Sequence, residues 1–323
     1  MSSLYVDLKN VAVRLCSGAL AFYEGEERVG TVPVAPIDRV IFKGGVTLST
    51  SVLGELGEHG IGVIILSGYK NVPLLFFPSA HNDAQRRVCQ CCLSLDEEYR
   101  RLFSVEIIRE KISEQAKLLD RLAEDHPQAG IVFNRFRGFV HKDEERIYKQ
   151  ITMDELRGIE GHASASYFQA LAAIVPSDLN FTGRNRRPPM DPLNAALSLT
   201  YTLLIADAAL AIHAGGLDPY VGFLHALDFS RVSFACDLVE SFRPQADLFA
   251  MRLFTTKVLS VEDFSITSKG CLMTKEARTR FYPAYEAAAD KWRRTLRQKA
   301  IKTASDFVTE VAAKHKAARG IAG

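Results

Sequence analysis

The chain has 323 residues, of which 47% are hydrophobic and 24% are charged, and its formal net charge is +2. This is the balance of an ordinary globular protein with a large core, and the length suggests about two domains. The near-neutral charge gives no support for nucleic-acid binding, so support for such a partner must come from local clusters of charge.

Short apolar or alternating runs predict strands through the first eighty residues. The predicted strands are 4–8, 11–15, 20–23, 29–34, 39–42, 61–66 and 74–77, with a hairpin turn at 24–27 and a break in the strand pattern at Gly44 and Gly45. Ser49 is one of several N-cap candidates for a short helix that ends near Gly60. The turn-forming segment 78–83 then separates a β-rich domain, residues 1–80, from the rest of the chain.

From Ala84 onward the apolar spacing changes to the helical period, which predicts an all-α domain over residues 81–323. Helices are predicted over 104–123, 152–175, 192–214, 232–243 and 246–255, then a small hairpin over 264–273, a helix capped by Thr274, and a basic helix from about Tyr285. Thr152 and Glu155, three residues apart, predict a capping box at the start of the second of these helices. The sequence therefore predicts an α+β fold, in which a small β-rich N-terminal domain precedes a large all-α domain.

Three segments bear on the class of protein. Six cysteines in a chain of this length argue against a disulfide scaffold. Cys89 and Cys92 form a single C-x-x-C without a second pair, so we interpret them as apolar helix residues rather than as a zinc site.

The stretch 195–214 is apolar enough to suggest a membrane span, but Asp207 near its centre favours a buried helix. The N-terminus does not resemble a signal peptide, and we expect a cytoplasmic protein.

Glu160 lies inside the predicted helix 152–175, beside its buried stripe and between Gly158 and Gly161. A glycine inside a helix costs about 1 kcal/mol relative to alanine, and close approach of a ligand is one reason to keep two of them. Taken alone, the segment favours a simpler interpretation, a glutamate at the border of a solvated face.

Asp237 and Glu240 are three residues apart on the predicted helix 232–243, so we expect them to be neighbours on one side of it. Two such carboxylates need a positive charge between them, which is either a lysine or arginine or a divalent cation. His225 is close enough along the chain to reach the same face, although a lone histidine in an apolar segment is more often a core residue. Carboxylates with one imidazole suit Mn²⁺ or Mg²⁺.

Arg184, Arg186 and Arg187 lie within four residues of one another, in a loop that two prolines stiffen. Arginine side chains pair well with phosphates, so the loop is a candidate for DNA binding. The alternative is a salt-bridged surface loop. The basic last helix allows the same two interpretations.

Five motifs, in order, resemble the CRISPR-associated integrase family, the metal-dependent nuclease numbered one among the CRISPR-associated proteins. They are residues 46–50 with 60–66, RGIEG at 157–161, RRPPMDPLNA at 186–195, GFLH at 222–225 and DLVESFRP at 237–244. The order of the motifs along nearly the whole chain makes the resemblance far more specific than any one of them.

The resemblance implies a β-rich N-terminal domain that mediates homodimerisation, and a helical catalytic domain. It also implies a second, small CRISPR-associated protein that bridges two dimers, and double-stranded DNA as substrate. The complex would capture short foreign DNA and join it into the CRISPR array by 3′-hydroxyl attack on a phosphodiester. Carried over by motif, Glu160, His225 and Glu240 would bind Mg²⁺ or Mn²⁺, and Asp237 would be a supporting catalytic acid.

Two positions depart from the family pattern, since Ala165 stands where many members have arginine and Glu114 where asparagine is expected. The missing arginine puts one DNA contact in question but leaves the metal ligands unchanged. Two other functions would use similar residues. One is a general metal-dependent nuclease of DNA repair, and the other is a non-enzymatic DNA-binding scaffold whose carboxylates are structural.

Overall fold

The computed structural model describes residues 2–67, 72–78, 83–147, 151–185, 188–225, 231–268 and 270–318. The chain divides into two compact units, Met1–Asn82 and Asp83–Gly323. The first is rich in strands and the second is mostly helical, which confirms the predicted α+β fold class.

In the described part of the N-terminal unit, eight strands form two four-stranded sheets. The strands are β1 (Ser2–Asp7), β2 (Val11–Cys16), β3 (Ala19–Glu24), β4 (Glu27–Pro33), β5 (Ile37–Lys43), β6 (Val46–Leu48), β7 (Gly62–Ser67) and β8 (Val72–Phe76). One sheet has the order β1-β5-β7-β8, with β8 antiparallel to β7 and the other pairs parallel. The other sheet has the order β4-β3-β2-β6 and consists of an antiparallel meander to which β6 adds a parallel strand.

The two sheets and helix α1 (Thr50–Glu58) bury a common apolar core, in which Leu20, Val40 and Leu56 are fully buried. The predicted strands of this unit agree with the structure to within two residues at each end, while the three-residue β6 was too short to predict. The predicted break at Gly44 has a steric cause. Gly44 has a φ of 108°, and a Cβ there would overlap the carbonyl oxygen of Leu8.

The described residues of the second unit contain eight helices and one hairpin. The helices are α2 (Ala84–Leu95), α3 (Glu97–Asp125), α4 (Gly130–Ile147), α5 (Met153–Ala172), α6 (Pro192–Ala214), α7 (Ser233–Leu238), α8 (Arg243–Thr255) and α9 (Lys275–Ala318). The predicted capping box opens α5, since the backbone N–H of Glu155 donates to Thr152 Oγ1 and that of Thr152 donates to Glu155 Oε2. Strands β9 (Phe264–Thr267) and β10 (Gly270–Met273) form the predicted hairpin.

Helix α6 is the candidate membrane span, because it is long and apolar enough to cross a bilayer by length and composition. However, 78% of its apolar stretch is buried inside the structure. Its Asp207 accepts hydrogen bonds from Tyr285 Oη at 2.9 Å and from Arg293 Nε at 2.8 Å. These partners on α9 offset the desolvation of the carboxylate, so α6 is a core helix of the unit, as predicted.

Helix α9 is longer than predicted, because the helix expected from about Tyr285 is the second part of one continuous helix that begins at Lys275. Pro283 lies inside it and removes one backbone hydrogen bond. Buried side chains continue at helical spacing on both sides of the proline, among them Phe281, Tyr285 and Trp292. We attribute the survival of the helix to this packing against α2 and α6.

Candidate metal centre

The three predicted ligands come from different elements of the helical unit. Glu160 is on α5, His225 lies in the segment that follows α6, and Glu240 begins a 3₁₀ turn between α7 and α8. The predicted helix 232–243 is therefore wrong in detail, since α7 ends at Leu238. Pro244 explains the break, because it has no N–H to donate to the carbonyl of Glu240 and its ring would clash with that group in a continuous helix.

Despite this break, Asp237 and Glu240 both face the imidazole of His225, Asp237 Oδ1 at 2.6 Å from Nδ1 and Glu240 Oε1 at 3.9 Å from Nε2. The buried Asp237 carboxylate holds the segment around His225. Asp237 Oδ2 accepts from the backbone N–H of Phe223 at 2.6 Å and of Leu224 at 3.2 Å, and Oδ1 accepts from that of His225 at 3.0 Å. The approach is tight, since a Cβ on Gly222 would lie 2.7 Å from Ser233 Cβ and 3.0 Å from Asp237 Oδ2.

Asp237 also orients the imidazole of His225. His225 Nδ1 lies 2.6 Å from Asp237 Oδ1. A carboxylate accepts hydrogen bonds and does not donate them, so this contact places the imidazole proton on Nδ1. In the neutral form of the ring, Nε2 carries the lone pair, and Nε2 lies 3.9 Å from Glu240 Oε1.

Glu240 is buried between two cationic side chains. Its Oε1 accepts from Arg243 Nε at 2.9 Å, and its Oε2 lies 2.8 Å from Lys111 Nζ. Burial raises the pKa of Glu240, but the attraction of Arg243, Lys111 and His225 outweighs burial and brings the pKa well below its usual range. Glu240 is therefore a carboxylate at neutral pH.

Lys111, on α3, joins Glu240 to Glu160. The Lys111 side chain is only 5% exposed, and its ammonium donates to Glu160 Oε1. Ser164 Oγ donates to the same oxygen at 3.0 Å. Burial raises the pKa of Glu160, but the charge and hydrogen bonds of these partners lower it overall. Sequence reasoning did not identify Lys111, although a lysine on the buried stripe of an amphipathic helix was a signal that could have found it.

Two of the predicted ligands, Glu160 and Glu240, thus lie around the ammonium of Lys111, and His225 lies beside Glu240. Among the described residues, no group of three or more His, Cys, Asp or Glu side chains is placed to hold a metal ion in this arrangement. The chemistry of the donor set nevertheless fits Mg²⁺ or Mn²⁺, since it combines two carboxylates with one imidazole. In addition, Glu240 Oε2 is buried and contacts Lys111 without a well-formed hydrogen bond. A divalent cation could satisfy that oxygen if it took the place of the ammonium.

A buried polar network of Tyr201, Tyr167 and Asp247 holds Arg243, the arginine that contacts Glu240. The guanidinium of Arg243 lies 4.7 Å from the centre of the Tyr201 ring. Tyr201 Oη donates to Asp247 Oδ1, and Tyr167 Oη donates to Asp247 Oδ2 at 3.0 Å. Burial raises the pKa of Asp247 to about 6, although hydrogen bonds from the two tyrosines and the charge of Arg243 oppose the rise. The network fixes Arg243 and, through it, one oxygen of Glu240.

The raised pKa of Asp247 predicts a pH dependence of stability. Because the folded chain binds this proton more tightly than the unfolded chain does, the contribution is fully present below the ordinary pKa of 3.8 and is lost as pH rises through about 6. Asp247→Asn should remove this contribution, which is at most about 3 kcal/mol. Thermal melts of the wild type and of Asp247→Asn between pH 4 and 7 would measure it. If the Tm of the two proteins depends on pH in the same way, the prediction is contradicted.

The arginine loop is described only in part. Arg184 is half-buried and donates to Asn194 Oδ1 at 2.7 Å and to Ser198 Oγ at 3.1 Å, so it fastens the loop to α6. Arg186 and Arg187 lie outside the described residues. Phosphate binding by these three arginines stays a prediction.

Comparison with known proteins gives the family. The model of the family described as CRISPR associated protein Cas1 matches residues 4–287. A relative, the CRISPR-associated endonuclease Cas1 1 of Thermodesulfovibrio yellowstonii, is 38% identical over 289 residues, which is 88% of this chain and 91% of the relative.

Two solved structures share the fold. A casposase bound to an integration product has a TM-score of 0.85 and 22% sequence identity, over 96% of this chain and 91% of the casposase chain. A chain of a Cas6-RT-Cas1–Cas2 complex has a TM-score of 0.82 and 20% identity, over 96% of this chain and 35% of that longer chain. The family model covers most of the sequence, and the resemblance read from the five ordered motifs is confirmed: the chain belongs to the Cas1 family of CRISPR-associated proteins.

Proposed function

We propose that this chain is a metal-dependent endodeoxyribonuclease and integrase of CRISPR adaptation, which inserts short foreign DNA into the CRISPR array. The observation that supports the proposal is that Glu160 and Glu240 share the ammonium of Lys111, while His225 Nε2 lies 3.9 Å from Glu240 Oε1. Family membership supports the reaction class, because a relative is named as a CRISPR-associated endonuclease and a casposase of the same fold was solved with an integration product.

The proposed chemistry is attack on a phosphodiester. In joining, a DNA 3′-hydroxyl attacks and another 3′-hydroxyl leaves, whereas in cleavage water is the nucleophile. A bound Mg²⁺ or Mn²⁺ would supply the positive charge that the equatorial oxygens of the transition state need.

The residues of the chain would have separate roles in this reaction. Glu160 and Glu240 would hold the cation and balance its charge. His225 would complete the ligand set through Nε2, or accept the proton of the incoming hydroxyl. Asp237 would keep His225 in the required tautomer.

The proposal extends to partners and domains. We propose that residues 1–80 mediate homodimerisation, that residues 81–323 form the catalytic domain, and that a small second CRISPR-associated protein bridges two dimers in the cytoplasm. A chain of the same fold is part of a complex that contains Cas2, which supports a partner of this kind. Double-stranded DNA would bind through Arg184, Arg186 and Arg187 without base readout, so its affinity should fall steeply with salt.

A joining assay tests the proposal. The purified chain is incubated with its small partner, Mn²⁺, a supercoiled plasmid that carries a CRISPR array, and short duplexes with free 3′-hydroxyls. We expect joined products that disappear with chelator or with 3′-dideoxy ends. Metal-dependent cleavage without joining would favour the repair nuclease. If neither reaction occurs and Mn²⁺ does not change the Tm, the results favour the non-enzymatic scaffold.

A further inference from the structure

We infer that Lys111 and the divalent cation compete for the same two carboxylates, so that the ammonium of Lys111 leaves the site when the metal binds. The inference rests on the proposed function, because it takes Glu160 and Glu240 as metal ligands. It assigns to Lys111 a role in setting the metal affinity of the site.

The first argument is geometric. Lys111 Nζ contacts Glu160 Oε1 and lies 2.8 Å from Glu240 Oε2. Mg²⁺ and related cations lie about 2.0–2.6 Å from carboxylate oxygens, so an ion bound to both of these oxygens would overlap the ammonium nitrogen. Two positive centres at such a separation would also repel each other strongly, because the site is largely shielded from water.

The second argument identifies which of the two cations at Glu240 is displaced. Arg243 is held in place, since its guanidinium packs on the Tyr201 ring and Asp247 in turn anchors the Tyr201 hydroxyl. Lys111 reaches the site from α3 on a flexible four-carbon side chain, and a lysine ammonium has no preferred plane. Lys111 can therefore withdraw by changing rotamer, whereas removal of Arg243 would disrupt a buried network.

The third argument concerns the metal-free protein. Without a positive charge between them, Glu160 and the buried Glu240 would repel each other. Lys111 contacts both carboxylates and holds them close together, so the metal-free site stays folded in nearly the arrangement that the cation needs. The cation must then replace an existing ion pair, so its apparent affinity is lower than that of a site with no lysine.

Removal of the Lys111 charge tests the inference. We would make Lys111→Met in the full-length chain and measure Mn²⁺ binding by calorimetry and Tm with and without Mn²⁺. Competition predicts a lower Tm for the metal-free variant, Mn²⁺ affinity higher by about tenfold or more, and a larger rise in Tm on adding Mn²⁺. Lys117→Met is the matched control, because Lys117 is exposed on the same helix and pairs with Glu114. It should bind Mn²⁺ like the wild type.

Two results would overturn the inference, and they are distinguishable. If Lys111→Met binds Mn²⁺ no more tightly than the wild type while Glu160→Gln abolishes binding, Lys111 remains in the loaded site and the proposed function stands. If Mn²⁺ binding is the same with and without Glu160→Gln, the ligand assignment fails, and the inference fails with it. Should Lys111→Met not fold, Lys111→Gln replaces it, since it removes the charge and keeps a polar group.

Discussion

Glu160→Gln, His225→Ala and Glu240→Gln should each reduce metal-dependent cleavage and joining by about 10²–10⁴-fold, the range for groups that stabilise developing charge or move a proton. The reason is that Glu160 and Glu240 share the ammonium of Lys111 and that His225 lies beside Glu240, so one cation in place of the ammonium could draw on all three side chains. If each supplies one bond to a shared cation, the loss of any one impairs the same step, so double variants should be little worse than single ones.

The choice of glutamine at Glu240 follows from its surroundings. Alanine there would remove the oxygen that accepts from the buried Arg243 Nε, and breaking such a buried pair costs about 3–5 kcal/mol, which would confuse loss of fold with loss of chemistry. Glutamine keeps an oxygen for Arg243 and removes the charge. At Glu160 the side chain is 31% exposed, so either substitution should leave the fold intact.

Initial rates of plasmid nicking and of joining, at saturating Mn²⁺ and with Tm recorded for every variant, provide the measurement. Glu114→Gln is a suitable control, since Glu114 is a carboxylate on the same helix as Lys111 but pairs with the exposed Lys117. Wild-type rates in Glu160→Gln, His225→Ala or Glu240→Gln would remove that residue from the set of essential ligands.

The sequence was sufficient for features that depend on local patterns. The strands of the N-terminal unit follow from alternating apolar residues, and α6 follows from Pro192 at its start and a long, mostly apolar run. The capping box of Thr152 and Glu155 is likewise a contact between residues three apart. The predicted function, a nuclease and integrase of CRISPR adaptation, is supported at the level of the family because five ordered motifs carried it.

The contacts that the sequence did not predict depend on tertiary packing. Lys111 lies on the same face of α3 as Ile108 and Ile112, so its burial was open to prediction. The partners of Lys111 could not be predicted in this way, because the packing of α3 against α5 and against the 3₁₀ turn brings Glu160 and Glu240 to it. The sequence predicts a lysine, an arginine or a divalent cation between Asp237 and Glu240. The structure places a lysine between Glu160 and Glu240 instead.

The break after Leu238 shows how one residue can change an interpretation. The spacing of Phe234, Leu238 and Phe242 predicts one helix over 232–243. This spacing does not include the effect of Pro244, which cannot donate a hydrogen bond to the carbonyl of Glu240. In the structure Asp237 accepts from the backbone around His225, whereas Glu240 contacts Lys111 and Arg243, so the two carboxylates have different roles.

This division of tasks makes a second prediction, for Asp237. Asp237→Asn should lower activity by about 10–100-fold at limiting Mn²⁺, the usual effect of losing a group that orients a metal-ligating histidine. The amide would no longer require a proton on His225 Nδ1, so Nε2 would be less available as a ligand. Asp237→Ala should add a loss of stability of about 3 kcal/mol, because the buried backbone N–H groups of Phe223, Leu224 and His225 would lose their acceptor.

The dependence of rate on Mn²⁺ concentration distinguishes this role from direct coordination. Since Asp237 acts through His225, high Mn²⁺ should restore much of the activity of Asp237→Asn but little of that of Glu240→Gln. Asp154→Asn, at a carboxylate that is 92% exposed, serves as control and should match the wild type. If Asp237→Asn is as inactive as Glu240→Gln at every Mn²⁺ concentration, Asp237 binds the cation directly, and its hydrogen bonds to the His225 segment must then rearrange in the metal-bound protein.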